Sequence, residues 1–271
     1  MEHYNSQSSY RKILEMPRHR HPKIYNPPQT DPVLEALAEK LVDKIPDEVV
    51  HSDFDGQTDI KIRKVLKIRT EKLAIGIPMD ELMFSQFFSN FMYLSVMPWD
   101  VLLTATSTFV TDARNSIHNT FLEQTEATHL FMVDSDVLPP PDTIERLLAH
   151  DKPVVGGVYF KKEKFKIRDA NGNVSIIQRP TVYDFNRFDE EKQKYFFHER
   201  LKVGKGLEKV DGMGAGCWMI RRDVAEAVGK SPFSLDFGGE DLTFCKTIEK
   251  AGFPIYVDWD LQCAHAGVFF V

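Results

Sequence analysis

Cysteine is scarce in this chain of 271 residues: three are present, Cys217, Cys245 and Cys263, and no two form a C-x-x-C pair. An odd number leaves one thiol unpaired, so the three read as buried apolar fillers in a reduced, cytoplasmic protein. Long apolar runs are missing as well. No stretch approaches the roughly 18–20 consecutive apolar residues of a membrane span, which argues against integral membrane association. Residues 1–9 are polar and show no apolar segment of a secretory signal. What remains is ordinary for a soluble globular protein, with 42% hydrophobic and 27% charged residues. The length suits one large α/β domain with an appendage, or two small domains.

Charge is unevenly spread over the net −6. Residues 1–30 carry five Lys or Arg against two Glu, and residues 161–211 carry thirteen against nine Asp or Glu, so the rest of the chain holds −13. Two basic segments on an acidic body suit local attraction of an anion better than wholesale coating of nucleic acid.

Residues 1–31 read as an irregular lead, broken by Pro17, Pro22, Pro27 and Pro28. An amphipathic helix is expected over 32–45, where Leu34, Leu37, Leu41 and Ile45 recur at helical spacing. We take 1–70 as an N-terminal extension and 71–271 as the main domain. Within it, strands are expected at 73–78, 101–106, 129–133 and 153–159. Helices are expected at 80–95, 112–127 and 143–149. That alternation argues for a mostly parallel sheet with helices on its faces, whose ligands sit beyond the carboxyl ends of the strands. Residues 161–209 interrupt it as a polar, basic insert, read as mobile, with a hairpin turn at Asn171 and Gly172 between extended arms at 166–168 and 174–177. A glycine-laden strand at 210–220, a helix at 222–228, a helix at 240–251 and a strand at 255–257 complete the order.

The chemistry centres on Asp134, Ser135 and Asp136, directly behind the apolar strand Leu130, Phe131, Met132 and Val133. Two carboxylates where a buried strand leaves the sheet suit a hard divalent cation, Mn²⁺ or Mg²⁺, which prefers oxygen ligands and leaves room for phosphate oxygens. Ala113, Arg114 and Asn115 open the helix leading into that strand. Glu240 and Asp241 open the last long helix behind Gly238 and Gly239, and His265 follows the last strand. Gly212, Gly214 and Gly216 precede a strand instead of following one into a helix, so they are no dinucleotide fingerprint. They are positions where a sugar or a backbone can approach closely.

The order A-R-N, an apolar strand ending in D-S-D, and E-D-x-x-F before a helix ending in A-G resembles the nucleotide-sugar glycosyltransferases of GT-A type. Within these the chain is most similar to the inverting family-two group. The resemblance covers about 73–267 and implies a GT-A (Rossmann-like) sheet. It also implies that Asp134 and Asp136 bind the metal and the donor diphosphate, with Ser135 between them, and that His265 is the third metal ligand. Arg114 would contact the donor nucleotide or its phosphates, Pro78 and Asp80 would border the nucleotide, and Gly214 would face the donor. Asp241 would be the catalytic base, with Glu240 beside it in the acceptor site.

The implied function is metal-dependent transfer of a sugar, with inversion, from a UDP- or GDP-sugar to an acceptor hydroxyl. A hydroxylated nucleic-acid base is one candidate acceptor. Two alternatives remain: a nucleotidyltransferase on a similar sheet, and a non-catalytic module that binds sugar nucleotides. The first commonly carries a glycine-rich, lysine-containing signature near its first strand, which residues 74–78 lack.

Overall fold

The structure, a computed structural model, describes residues 23–25, 69, 71–79, 83–168, 174–192, 194–236 and 239–266. The helix expected at 32–45, Asp80 and the turn at Asn171 and Gly172 lie outside these residues. Most strands stack into one eight-stranded sheet. It contains β1 (Lys23–Tyr25), β2 (Leu73–Met79), β3 (Val101–Thr106), β4 (His129–Val133), β6 (Val154–Val158), β11 (Leu207–Val210), β13 (Cys217–Arg221) and β14 (Ile255–Gln262). Their order is β1-β3-β2-β4-β13-β6-β14-β11. Strands β3, β2, β4, β6 and β14 point one way, whereas β1, β13 and β11 run against them. The α/β class read from the sequence, a mostly parallel sheet flanked by helices, is the observed one.

Burial on both faces explains the near-continuous apolar strands, because successive side chains point to opposite sides. In β4, Leu130 and Met132 join one core while Phe131 and Val133 join the other. The same alternation holds in β13, where Trp218 and Ile220 face one way and Cys217 and Met219 the other. The first core takes Ile117 and Phe121 of α2 (Val110–Gln124), Val224 of α4 (Arg222–Val228) and Phe244 of α5 (Glu240–Lys250). The second takes Phe87 of α1 (Ser85–Phe91) and Ile144 and Leu147 of α3 (Thr143–Ala149). Each large apolar side chain so buried contributes about 1.5–3 kcal/mol. All three cysteines are buried and unpaired, as expected.

Gly76 sets how closely α2 lies on β2. A Cβ there would stand 2.5 Å from Cγ2 of Ile117, so only glycine admits the helix at this depth.

Three expectations change. Residues 23–25, read as part of an irregular lead, form the edge strand β1 against β3. Flanking prolines do not prevent this, because an edge strand needs only one hydrogen-bonding side. The helix expected at 80–95 is confined to Ser85–Phe91. Backbone bonds from Tyr93 to Asn90 and from Leu94 to Phe91 tighten its last turn and end it. The insert 161–209 pairs the expected hairpin arms, Arg168 opposite Val174, and carries further β-structure beyond them. Strand β7 (Phe160–Arg168) pairs with β8 (Val174–Pro180), β9 (Val182–Asp189) pairs with β10 (Lys194–Glu199), and β11 joins the main sheet. Few of their described side chains are fully buried, so little apolar periodicity marks them in the sequence.

Candidate active site

Strand direction brings the sequence motifs to one edge. Strand β4 ends at Val133, and β13, running the other way, begins at Cys217 opposite it. The turn after β4 and the glycine loop before β13 therefore lie side by side, joined by the Asp134 N–H donating to the Gly216 carbonyl at 3.1 Å. Short strands β12 (Gly212–Met213) and β5 (Val137–Leu138) flank this junction. Pro78 is buried near the end of β2, opposite Ala105.

Arg114 lies at the centre and is only 3% exposed. Its Nη2 donates to Oδ2 of Asp134 at 3.0 Å, and Nη1 donates to the Ala215 carbonyl at 3.2 Å. Its Nε lies 3.7 Å from Oε1 of Glu240. Burial alone would lower the guanidinium pKa, but Asp134 and Glu240 outweigh it and raise the value above the ordinary one. The residue expected to reach the donor is thus engaged by two carboxylates from different elements.

Glu240 and Asp241 form the first turn of α5. Burial, reinforced by the neighbouring Glu240 charge, pushes the Asp241 carboxyl up to about 6, although the Leu242 N–H and Arg114 both pull it down. The helix N-terminus alone would have lowered it. Desolvation wins, and the carboxylate reaches the range a general base needs near neutral pH.

The other half of the site surrounds Asp136. Strand β15 (Ala264–His265) pairs with β5 and sets His265 opposite Val137. The Ala266 N–H also donates to the Asp136 carbonyl at 2.7 Å. Nε2 of His265 lies 3.4 Å from Oδ2 of Asp136, and Nδ1 lies 2.8 Å from the Phe160 carbonyl. A carbonyl only accepts, so Nδ1 carries a proton. Burial lowers the His265 pKa, but the bonds to Asp136 and the Phe160 carbonyl outweigh it and raise the value, and the charged ring donates from Nε2 to Asp136. Burial pushes the Asp136 carboxyl up, but bonds from His265 and Lys162 overcome this and hold it at about 2.

Whether these residues fit a divalent ion can be judged from their donors. A histidine anchored through Nδ1–H to a carbonyl, with Nε2 facing a carboxylate, has the arrangement of a metal ligand. Near it, Arg114 Nη2 stands 3.0 Å from both Asp134 oxygens, yet Oδ1 has no partner of hydrogen-bond geometry among the described residues. Asp136 and His265 therefore fit a metal. Oδ2 of Asp134 is held by Arg114 and its Oδ1 is left for an ion, although no set of three His, Cys, Asp or Glu converges among the described residues. So few protein ligands would leave positions for diphosphate oxygens and water.

Several contributors were not legible in the motifs. Lys162 donates to Oδ2 of Asp136 at 2.7 Å. Tyr159 fills the space beneath the glycine loop: a Cβ on Gly214 would stand 2.3 Å from its Oη, and the Gly216 N–H donates to that oxygen at 3.2 Å. The group that approaches these glycines is Tyr159. Asn115 and Asn119 of α2 hold the segment leading to α5. A lysine pair following Tyr159 and Phe160 is visible in the sequence, but its partners are not.

No protein-family model matches the sequence, and no curated protein sequence matches it. Among solved structures, A197 from STIV is similar with a TM-score of 0.51 and 20% identity, covering 73% of this chain and 86% of that one. GalNAc-T7, solved with UDP, GalNAc and Mn²⁺, gives a TM-score of 0.48 and 11% identity, covering 89% of this chain and 53% of that one. This chain thus spans about half the length of the GalNAc-T7 chain. No helix among the described residues is long and apolar enough to cross a membrane. At 20% identity the likeness to A197 is one of fold, the two chains sharing an α/β architecture.

Proposed function

We propose that the chain is a metal-dependent glycosyltransferase of GT-A type, moving a sugar with inversion from a UDP- or GDP-sugar to an acceptor hydroxyl. The observation that carries this reading is the Asp241 carboxyl, pushed up to about 6 beside Glu240 at the sheet edge that also holds Asp134 and Asp136. Asp134, Asp136 and His265 would hold Mn²⁺ or Mg²⁺, which when bound stabilises negative charge on the leaving diphosphate.

The chain's own groups do the rest. Asp241 accepts the proton of the acceptor hydroxyl as that oxygen attacks the anomeric carbon from the face opposite the diphosphate. Glu240 lines the acceptor side and keeps the Asp241 carboxyl basic through its charge. Arg114 acts as a positioning residue, tying the strand end at Asp134 to the helix start at Glu240. Ser135, Pro78 and Gly214 border the donor, as does Asp80, which lies outside the described residues.

The test is a panel of UDP- and GDP-sugars incubated with Mn²⁺, read as release of nucleoside diphosphate. One donor should be hydrolysed slowly without acceptor, and Asp241→Asn should lower transfer by at least about 10²-fold. Transfer should rise with pH through about 6 as Asp241 loses its proton. A product that keeps the donor's anomeric configuration by NMR, or ordinary turnover by Asp241→Asn, overturns the inverting assignment. A hydroxylated nucleic-acid base and a small-molecule hydroxyl are distinguished by adding each as acceptor.

A further inference from the structure

Residues 160–164 contain an irregularity that places two consecutive lysines on different acids. In the β7–β8 pairing Phe160 faces Pro180, but the next partners are Lys164 and Gln178, so β7 advances four residues where β8 advances two. The extra residues form a bulge, a device that re-aims side chains near functional sites. Lys161 pairs with Glu199 inside the insert. Lys162 leaves it, and its Nζ stands 2.7 Å from Oδ2 of Asp136. That oxygen is the one faced by Nε2 of His265. That one carboxylate oxygen therefore meets the Lys162 ammonium at 2.7 Å and the His265 ring at 3.4 Å, so the lysine is its nearer cation.

We propose that Lys162 is a built-in counter-cation of Asp136, competing with the divalent ion for the carboxylate and released from it when the ion binds. The proposal rests on the metal reading above and adds a residue to it. Geometry favours exchange over a permanent salt bridge. The Lys162 side chain is 43% exposed and that of Asp136 29%, so the ammonium can return to water at little cost. Its four-carbon stem reaches from a strand that is not part of the main sheet.

The experiment is calorimetric titration of the whole chain with Mn²⁺ alone, for wild type, Lys162→Met and Lys162→Arg. Methionine keeps the stem and removes the charge, so Lys162→Met should bind Mn²⁺ at least about tenfold more tightly, the size of effect an opposite charge exerts on a carboxylate at this range. Lys162→Arg should stay near wild type, since it keeps the charge. Asp136→Asn should abolish binding in both the wild-type and Lys162→Met backgrounds, which identifies the ion measured. Equal or weaker binding by Lys162→Met while wild type binds Mn²⁺ overturns the counter-cation and leaves the metal site standing. Absence of Mn²⁺ binding in wild type and Lys162→Met alike overturns both.

Discussion

Asn115 and Phe233 close a ring of two hydrogen bonds: Nδ2 of Asn115 donates to the Phe233 carbonyl at 2.8 Å, and Oδ1 accepts from the Phe233 N–H at 2.9 Å. One turn along α2, Nδ2 of Asn119 donates to the Ser231 hydroxyl at 3.0 Å and its Oδ1 accepts from the Ser231 N–H at 2.9 Å. Between them, Nε2 of His118 donates to the Gly229 carbonyl at 3.0 Å. The helix that carries Arg114 inward therefore also holds the segment leading to Glu240 and Asp241.

Replacing Asn115 by Leu removes both bonds and leaves the Phe233 backbone groups without their side-chain partner. At about 1 kcal/mol net per bond plus the cost of unpaired polar groups, a loss of about 2–4 kcal/mol is expected in urea unfolding. Transfer activity should fall as well, because the start of α5 loses its tether. Full stability in Asn115→Leu shows that the clamp contributes nothing.

Asp241 should behave as a residue whose replacement stabilises the fold. Its native pKa, about 6, lies above the ordinary 3.8, so the folded state holds the proton more tightly than the unfolded chain. The resulting stability is fully present below about pH 4 and is lost as pH rises through about 6. Above that pH the ionised carboxylate costs up to about 3 kcal/mol, at 1.36 kcal/mol for each unit of raised pKa. Asp241→Asn keeps the shape and the bond from the Leu242 N–H. Its unfolding midpoint should match wild type at pH 4 and exceed it at pH 8. Equal midpoints at both values count against a raised carboxyl.

Arg114→Met should be among the most destabilising changes near the site. It leaves Asp134 and Glu240 as partly buried carboxylates without their shared cation, and removing one partner of such a pair costs about 3–5 kcal/mol. Lysine should not restore the loss, because a single ammonium cannot reach Asp134, the Ala215 carbonyl and Glu240 together. Chemical denaturation of both variants provides the check, with rescue by lysine as the contrary outcome.

Gly214→Ala should be poorly tolerated, because its methyl group would meet the Tyr159 hydroxyl at 2.3 Å. Overpacking of this kind costs about 1–3 kcal/mol. Tyr159→Phe in the same chain removes the clashing oxygen and should recover part of the loss. A purely additive double variant means that another contact makes Gly214 necessary.

What the sequence determined by itself is the part written in local periodicity. Apolar runs such as 129–133 and 154–158 bury both faces, and the helices carry an apolar stripe, so element type and the α/β class were legible without partners. The acidic turn at Asp134 and Asp136 and the acidic start of α5 were legible too, because each lies at an element's end. Tertiary structure alone decided how these groups meet. The reversed direction of β13 laid Gly216 against Asp134, and no local pattern encodes strand direction within a sheet. Arg114 turned out to bridge Asp134 and Glu240, residues 20 and 126 positions along the chain, a pairing produced by how α2 and α5 pack on one face. The basic insert showed its first hairpin through the Asn171 and Gly172 turn but concealed β9 and β10, which bury few side chains. Burial, which a sequence cannot display, carried the Asp241 carboxyl to about 6 against the pull of its own helix.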